Sequence, residues 1–306
     1  MRNAFAKEWL KFALENPKMI LITGDLGYGV LDEIASVVPD QYINAGIAEQ
    51  SMMSMAAGLA SEGYRPFVYS IANFPTIRCL EQIRNDVCYM KNSVTIVSVG
   101  AGLGYGNLGY SHHAIEDISI MRSLPNLDIY SPADSEEVNL AIAEIIVTDT
   151  PSYLRLGKGG EPKLHSISIS SIAMPVEIES GIDGFVAFTG GVGARVLDAI
   201  EIIKANGLRP SVFSVPKLTN ESIEYLVNKA RGSFLVTVEE HSLQGGFGSW
   251  VLEANADSRA NIVIKRMGLG QAGIEQLGTQ SYLLDKKGLS AESIAQSFFE
   301  VQSSFQ

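Results

Sequence analysis

The chain has 306 residues, 46% hydrophobic and 19% charged, which suffices for two ordinary globular domains with their own cores and is too apolar for a disordered chain. A formal net charge of −11, with no locally concentrated basic run to offset it, excludes nucleic acid and anionic membrane surfaces as expected partners. The two cysteines, Cys79 and Cys88, lie nine positions apart with no CxxC or His-rich neighbour, so buried thiols are expected rather than a disulfide framework or a metal site. No uninterrupted apolar run reaches the length of a signal peptide or a membrane span, and a cytoplasmic protein is expected.

In chain order, residues 3–16 read as an amphipathic helix, and the apolar run 19–23 reads as a strand that ends in Gly24-Asp25-Leu26-Gly27. Helices are expected at 48–62, 76–90, 114–123 and 134–147, and strands at 65–70, 93–99, 127–130 and 152–156. Strands separated by helices predict an α/β fold with a parallel sheet covered on both faces. Periodicity is lost over the Gly-, Pro- and Ser-rich stretch 157–180. Strands at 184–189, 211–215 and 234–239, with helices at 194–206 and 221–229, then predict a second, smaller α/β domain. The expected organisation is a first domain at 1–160, a linker at 161–180 and a second domain at 181–306.

Two glycine clusters invite a phosphate-binding reading. Gly104-Tyr105-Gly106-Asn107-Leu108-Gly109 matches GxGxxG after a strand, but Tyr110, Ser111, His112 and His113 follow where a dinucleotide fold packs small apolar side chains. Gly190-Gly191-Val192-Gly193 opens a helix whose free N–H groups can hold an anion, and a tight strand-to-helix turn explains it equally well.

More specific is the stretch from Asn44 to Gly63, in which Glu49 is the only charge between Asp40 and Glu62. Small and apolar residues cover every face of the helix it starts, so the helix is expected to be buried and the carboxylate must find a partner, a proton or both. Glu49 either caps its own helix, with Gly46 at the N-cap, or serves chemistry.

Residues 44–63 resemble the transketolase-family block in which Gly-Ile-Ala-Glu-Gln leads into an alanine-rich helix. The similarity continues through 65–74, through 78–87, and through Gly109-Tyr110-Ser111-His112-His113-Ala114-Ile115-Glu116-Asp117. It extends to Ser131-Pro132-Ala133-Asp134, Tyr153-Leu154-Arg155-Leu156, and Glu239-Glu240-His241 before Gly245-Gly246-Phe247-Gly248. This implies a pyrimidine-binding domain followed by a transketolase C-terminal domain, and thiamine diphosphate as cofactor. A buried glutamate that hydrogen-bonds the aminopyrimidine N1′ promotes loss of the thiazolium C2 proton, which prepares the cofactor for carbanion chemistry.

On that resemblance Glu49 is catalytic and, with Phe74, Ile71 and Arg78, lines the cofactor; Ile71 stands where a second ring-packing aromatic is frequent. His112 is catalytic too, contacting the ketose donor or the cofactor-bound intermediate, and Arg155 and Arg2 offer cationic contacts to a substrate phosphate. On residue chemistry alone, Phe74 serves as well as a core aromatic, His112 as a surface group and Arg155 as an ion-pair partner. Leu108 replaces a frequent aspartate that bonds a donor hydroxyl, Gly100 a phosphate-contacting histidine and Gly29 a serine. These departures imply a modified-sugar substrate rather than the usual pentose phosphates.

The family binds the diphosphate and Mg²⁺ through a GDG motif and a later Asn-rich turn, and Gly24-Asp25-Leu26 is neither in the right place nor followed by the Asn. The chain is therefore expected to provide no metal ligand and to need an N-terminal transketolase subunit, two copies of each forming a heterotetramer. The activity implied is transfer of a two-carbon ketol unit from a ketose to an aldehyde. The alternatives are the β-subunit of a 2-oxoacid dehydrogenase E1 and a non-catalytic stabilising subunit. No catalytic duty is expected of Glu240 or His241.

Overall fold

A computed structural model describes residues 1–270 and 275–305. Among them run twelve strands: β1 (Met19–Thr23), β2 (Tyr42–Asn44), β3 (Arg65–Ile71), β4 (Thr95–Val99), β5 (Asp128–Tyr130), β6 (Ser152–Leu156), β7 (Val176–Glu179), β8 (Phe185–Thr189), β9 (Ser211–Ser214), β10 (Lys217–Leu218), β11 (Phe234–Ser242) and β12 (Val263–Leu269). They form a seven-stranded sheet in the order β10-β5-β6-β4-β3-β1-β2 and a five-stranded sheet in the order β12-β11-β8-β9-β7. Each sheet is parallel except at one edge, where β10 runs antiparallel to β5 and β7 antiparallel to β9. The expected α/β architecture with two parallel-sheet units is what the chain adopts.

The central strands β1, β4 and β6 are buried along their whole length, which is why they read as continuous apolar runs rather than alternating ones. In a parallel sheet the loops beyond the strands' C-terminal ends gather on one edge. Here those ends deliver Gly24-Asp25, Phe74, Gly100 and Gly157 to one rim.

Several expectations need correction. The linker expected to reach residue 180 contains β7, Val-Glu-Ile-Glu, a short apolar–polar alternation that the linker expectation passed over and that pairs with β9. The helix expected over 76–90 is a 3-10 turn (Ile77–Cys79), a short α segment (Leu80–Gln82) and a π-helical stretch (Ile83–Tyr89). The helix expected over 114–123 shrinks to Asp117–Met121, because Ala114 is held in β-bridges with Ala101 and Gly102. Strand β11 runs three residues past its expected end, carrying Glu240, His241 and Ser242 into the interior.

The two units share their interior. Leu103, Ile115 and Ala133 of the first pack into the core of the second, and Ala187, Phe213 and Leu235 of the second pack with Ile22, Met52 and Val68 of the first. Charge is buried at the same junction: Arg155 Nε lies 2.7 Å from Asp117, Tyr153 donates to that carboxylate at 2.6 Å, and His241 Nε2 lies 3.7 Å from its other oxygen. Burial alone raises the Asp117 carboxyl, but Arg155 and His241 outweigh it and hold the group below the usual carboxylate range. Both cysteines are free and buried, and burial pushes each thiol up to about 12.

Candidate functional site

The rim at the C-terminal ends of β1, β3 and β4 gathers most of the residues singled out by sequence. After β2 the chain turns through Gly46, whose φ of +71° is a left-handed value that glycine adopts without strain, and enters helix Glu49–Ser61. Ala48, not Gly46, is the N-cap, and no side chain caps the helix, so the capping-box expectation is incorrect. The carboxylate of Glu49 is 4% exposed and pairs instead with Arg78 Nη1 at 2.8 Å. Gly24 makes room for this: a Cβ on it would sit 3.3 Å from the Gly46 carbonyl and 3.8 Å from Glu49 Cγ.

The helix itself is buried only on one side. Met52, Met53, Ala56 and Ala57 face the core, whereas Ile47, Met55 and the small residues between them are exposed, contrary to the expectation of burial all round.

Beyond β3 the backbone passes Ala72 at φ +35°, an uncommon value for a residue with a Cβ; the Ala72 carbonyl accepts from Thr76 Oγ1 and Ser98 Oγ, both at 3.0 Å. This turn presents Phe74, whose N–H donates to the Ile71 carbonyl at 2.9 Å. The Arg78 guanidinium lies 4.4 Å over the Phe74 ring, and His112 meets that ring edge-on at 5.3 Å. Asn73 Nδ2 donates to the His113 carbonyl at 2.5 Å, tying the Phe74 turn to the histidine loop. Glu49, Arg78, Phe74 and His112 therefore form one continuous row, with half-buried Ile71 at its base. Leu108 is half exposed on the 3-10 turn Gly106–Leu108 of the same loop.

Arg155 is elsewhere. It is 2% exposed, and besides Asp117 its Nη2 donates to the Ala114 and Glu240 carbonyls at 2.9 and 3.0 Å. With its planar fork consumed inside the junction, it offers nothing to a substrate phosphate, which corrects the role expected of it. Arg2 does lie near the rim, its Nε 4.0 Å from where a Cβ on Gly159 would sit.

Three features went unread in the sequence. Tyr105 fills the space above Gly100, where a Cβ would come within 2.2 Å of its ring; the ring lies 6.4 Å from that of His112, and the Lys158 ammonium sits 4.9 Å from its centroid. Asp25 holds a left-handed φ of +57° and exchanges hydrogen bonds with Asn44 at 2.9 and 3.1 Å, while Tyr28 donates to it at 2.6 Å. These hydrogen bonds lower the Asp25 pKa, the one from Tyr28 most. The strand-ending Gly24-Asp25 was the signal for Asp25. For Tyr105 the glycine at 100 shows only that something approaches closely, not what, and nothing in the sequence marked Lys158.

Residues 1–162 match the family model of the transketolase pyrimidine-binding domain. An apulose-4-phosphate transketolase subunit of Actinobacillus succinogenes is 32% identical over 259 residues, covering 84% of this chain and 83% of that protein. The chain belongs to the transketolase family. A putative transketolase C-terminal section of Methanocaldococcus jannaschii is 32% identical over 304 residues, 98% of this chain and 95% of its own length. A solved structure described as a split gene transketolase, inactive beta4 tetramer, superposes with a TM-score of 0.90 at 32% identity, covering 100% of this chain and 99% of that one. As a transketolase-type chain, it has the two-domain fold of that structure over its full described length.

Proposed function

We propose that this chain supplies the aminopyrimidine-binding wall of a thiamine diphosphate site in a split ketol-transferring enzyme, and that a separate polypeptide supplies the diphosphate and Mg²⁺ ligands. The observation that carries this reading is the Glu49 carboxylate, buried at a helix start, in one row with a phenyl ring and a half-buried imidazole. The donor set suits the group. Arg78, a planar delocalised cation, already occupies both contacts that a protonated aminopyrimidine requires, the Glu49 oxygen and the Phe74 face.

Thiamine diphosphate, when bound, supplies the electron sink that lets the bond beside a ketose carbonyl break. Glu49 holds a proton at the ring nitrogen facing it, Phe74 packs on the ring, and Ile71 closes the apolar base. Arg78, 44% exposed on its side chain, yields its place on Phe74 by swinging outward. His112, whose Nδ1 lies 3.0 Å from Ser111 Oγ, presents the rest of its ring to the sugar as donor or acceptor. Arg2, beside Gly159, and Lys158, against the Tyr105 ring, are the cations that would meet a phosphate in this reading, the role expected of Arg155.

Two observations support a partner. Met55 on the exposed side of helix Glu49–Ser61 and Ile47 just before it stand among small residues, a surface suited to another protein. Relatives of nearly equal length are named as a transketolase subunit and as a C-terminal section, which supports a separate partner chain. The exposed Leu108 and the Tyr105 ring above Gly100 leave no acceptor for the usual donor hydroxyl and no room for a histidine. A modified sugar is the substrate this favours, and a relative named for apulose 4-phosphate agrees with it.

The test is calorimetric titration of thiamine diphosphate with Mg²⁺ into this chain, alone and mixed with a partner chain carrying the GDG motif. Binding is expected only in the mixture, weakened at least about tenfold by Glu49→Gln, the loss of one charge-assisted hydrogen bond. No binding in a mixture shown to associate overturns the reading, and oxidation of pyruvate without ketose transfer reassigns it to a 2-oxoacid dehydrogenase. In the same complex, equal rates for the wild type and Leu108→Asp on pentose phosphates would remove the modified-sugar part alone.

A further inference from the structure

The loop from Gly100 to His113 carries Tyr105 and His112, yet much of what holds it comes from the second domain. Leu103 buries its side chain in that domain's core and donates its N–H to the Glu240 carboxylate at 2.6 Å. Gln280 Nε2 donates to both Glu240 oxygens at 2.9 Å. Gly102 takes a φ of +61°, and a Cβ on it would fall 2.3 Å from Glu240 Cγ, so the backbone lies directly against the carboxylate. Farther along, a Cβ on Gly106 would fall 2.4 Å from Leu283 and one on Gly109 would fall 3.1 Å from Leu277. At the loop's exit Ser242 N–H donates to the Ile115 carbonyl at 2.8 Å.

Glu240 is 3% exposed and lies on β11, buried along its whole length, so it is an anchor that does not move with the loop. A buried carboxylate is costly unless its oxygens are bonded, and here both the loop and helix Gln280–Lys286 bond them. Arg155 bonds the Ala114 carbonyl, where the loop ends, whereas Glu240 bonds inside it at Leu103, two residues before Tyr105.

We propose that Glu240, braced by Gln280, is a positioning residue: it fixes the Gly100–His113 loop from the second domain and thereby sets where His112 and Tyr105 stand. The inference rests on the reading of His112 as a substrate contact and gives the second domain a part in the site.

The experiment uses the full chain with no ligand, so it is independent of whether thiamine diphosphate binds. Glu240→Leu removes the acceptor while keeping apolar bulk, and Glu240→Gln keeps an oxygen for the Leu103 N–H. Amide exchange is measured over 101–112 and over β8 and β11, and the ring signals of the four histidines are followed by NMR. In Glu240→Leu, loop exchange is expected to quicken at least about tenfold with the sheet unchanged, and the His112 signals to shift while those of His165 stay put; Glu240→Gln restores both.

Unchanged loop exchange, a rise shared equally by β8 and β11, or equal loosening in Glu240→Gln overturns the proposal. If Glu240→Leu fails to fold, Gln280→Ala, at a half-buried position, reads the same loop. Unchanged protection there overturns the proposal as well.

Discussion

Glu239 and Glu240 are adjacent on β11 and do different things with the same chemistry. The Glu239 carboxylate accepts from the Phe247 and Gly248 N–H groups at 2.7 and 2.8 Å, at the start of helix Phe247–Ser258. Burial nevertheless pushes its carboxyl up to about 7. A group whose folded pKa lies above its unfolded value stabilises fully below the unfolded pKa, and that contribution fades as pH rises through the folded one. Between about 4.5 and about 7 the folded chain keeps a proton that the unfolded chain has lost, so stability should fall by roughly 1 kcal/mol per pH unit from this group. Urea unfolding from pH 4 to 8 should show that slope as a difference between wild type and Glu239→Gln; curves that run parallel would mean the carboxyl titrates alike in the folded and unfolded chain. The pair Glu239-Glu240 was visible in the sequence, but a run of like charges reads as a solvated surface until the strand beneath it is known to be buried.

At the scale of elements, legibility followed burial pattern. β1 and β6 lie where their apolar runs place them, and helix Ser135–Val147 starts after Asp134, whose carboxylate accepts from the Glu136 and Glu137 N–H groups. What escaped were β7 and β10, edge strands of four and two residues whose pattern is too short to stand out, and the π-helical stretch Ile83–Tyr89, whose wider turn leaves no mark in an apolar pattern. The site divided in the same way, since Glu49, Phe74 and His112 carry family motifs, whereas the burial of Arg155 is decided by Asp117 and by a carbonyl 85 positions away. The glycines of the 100–109 loop illustrate the point. Their GxGxxG match, argued against by the residues after Gly109, reflects close approaches, with Gly106 against Leu283 and, just before it, Gly102 against Glu240. Gly102→Ala should therefore combine left-handed strain with overpacking against a buried carboxylate and cost about 2–4 kcal/mol in chemical denaturation. Gly160→Ala also places a Cβ at positive φ, but with nothing within 4 Å, and should cost about 1 kcal/mol from conformation alone. Equal costs at the two positions would show that contact with Glu240 contributes nothing.

At the scale of the whole molecule, the site lies at an edge, not in a cleft of its own. Glu49 is buried, but the helix it begins leaves Ile47 79% and Met55 41% exposed beside it, so the catalytic glutamate of the proposed reading stands at the border of an uncovered apolar surface. A subunit that completes its site against another chain has this arrangement, because the same contact that covers the helix brings the second wall to the cofactor. Introducing a charge at Met55 would force a lysine into that contact without a partner, at a cost of about 3 kcal/mol or more to association. Met55→Lys is therefore expected to shift the sedimentation profile of the mixture with a diphosphate-binding partner toward free chain, while its far-ultraviolet circular dichroism stays that of the wild type. Val147→Lys is the control: it is more exposed, at 78%, but ends helix Ser135–Val147, which leads into the start of β6 on the side opposite the rim. Its association should be unchanged. If Val147→Lys disrupts assembly and Met55→Lys does not, the assembled contact lies away from Glu49, and the site is completed by some other surface.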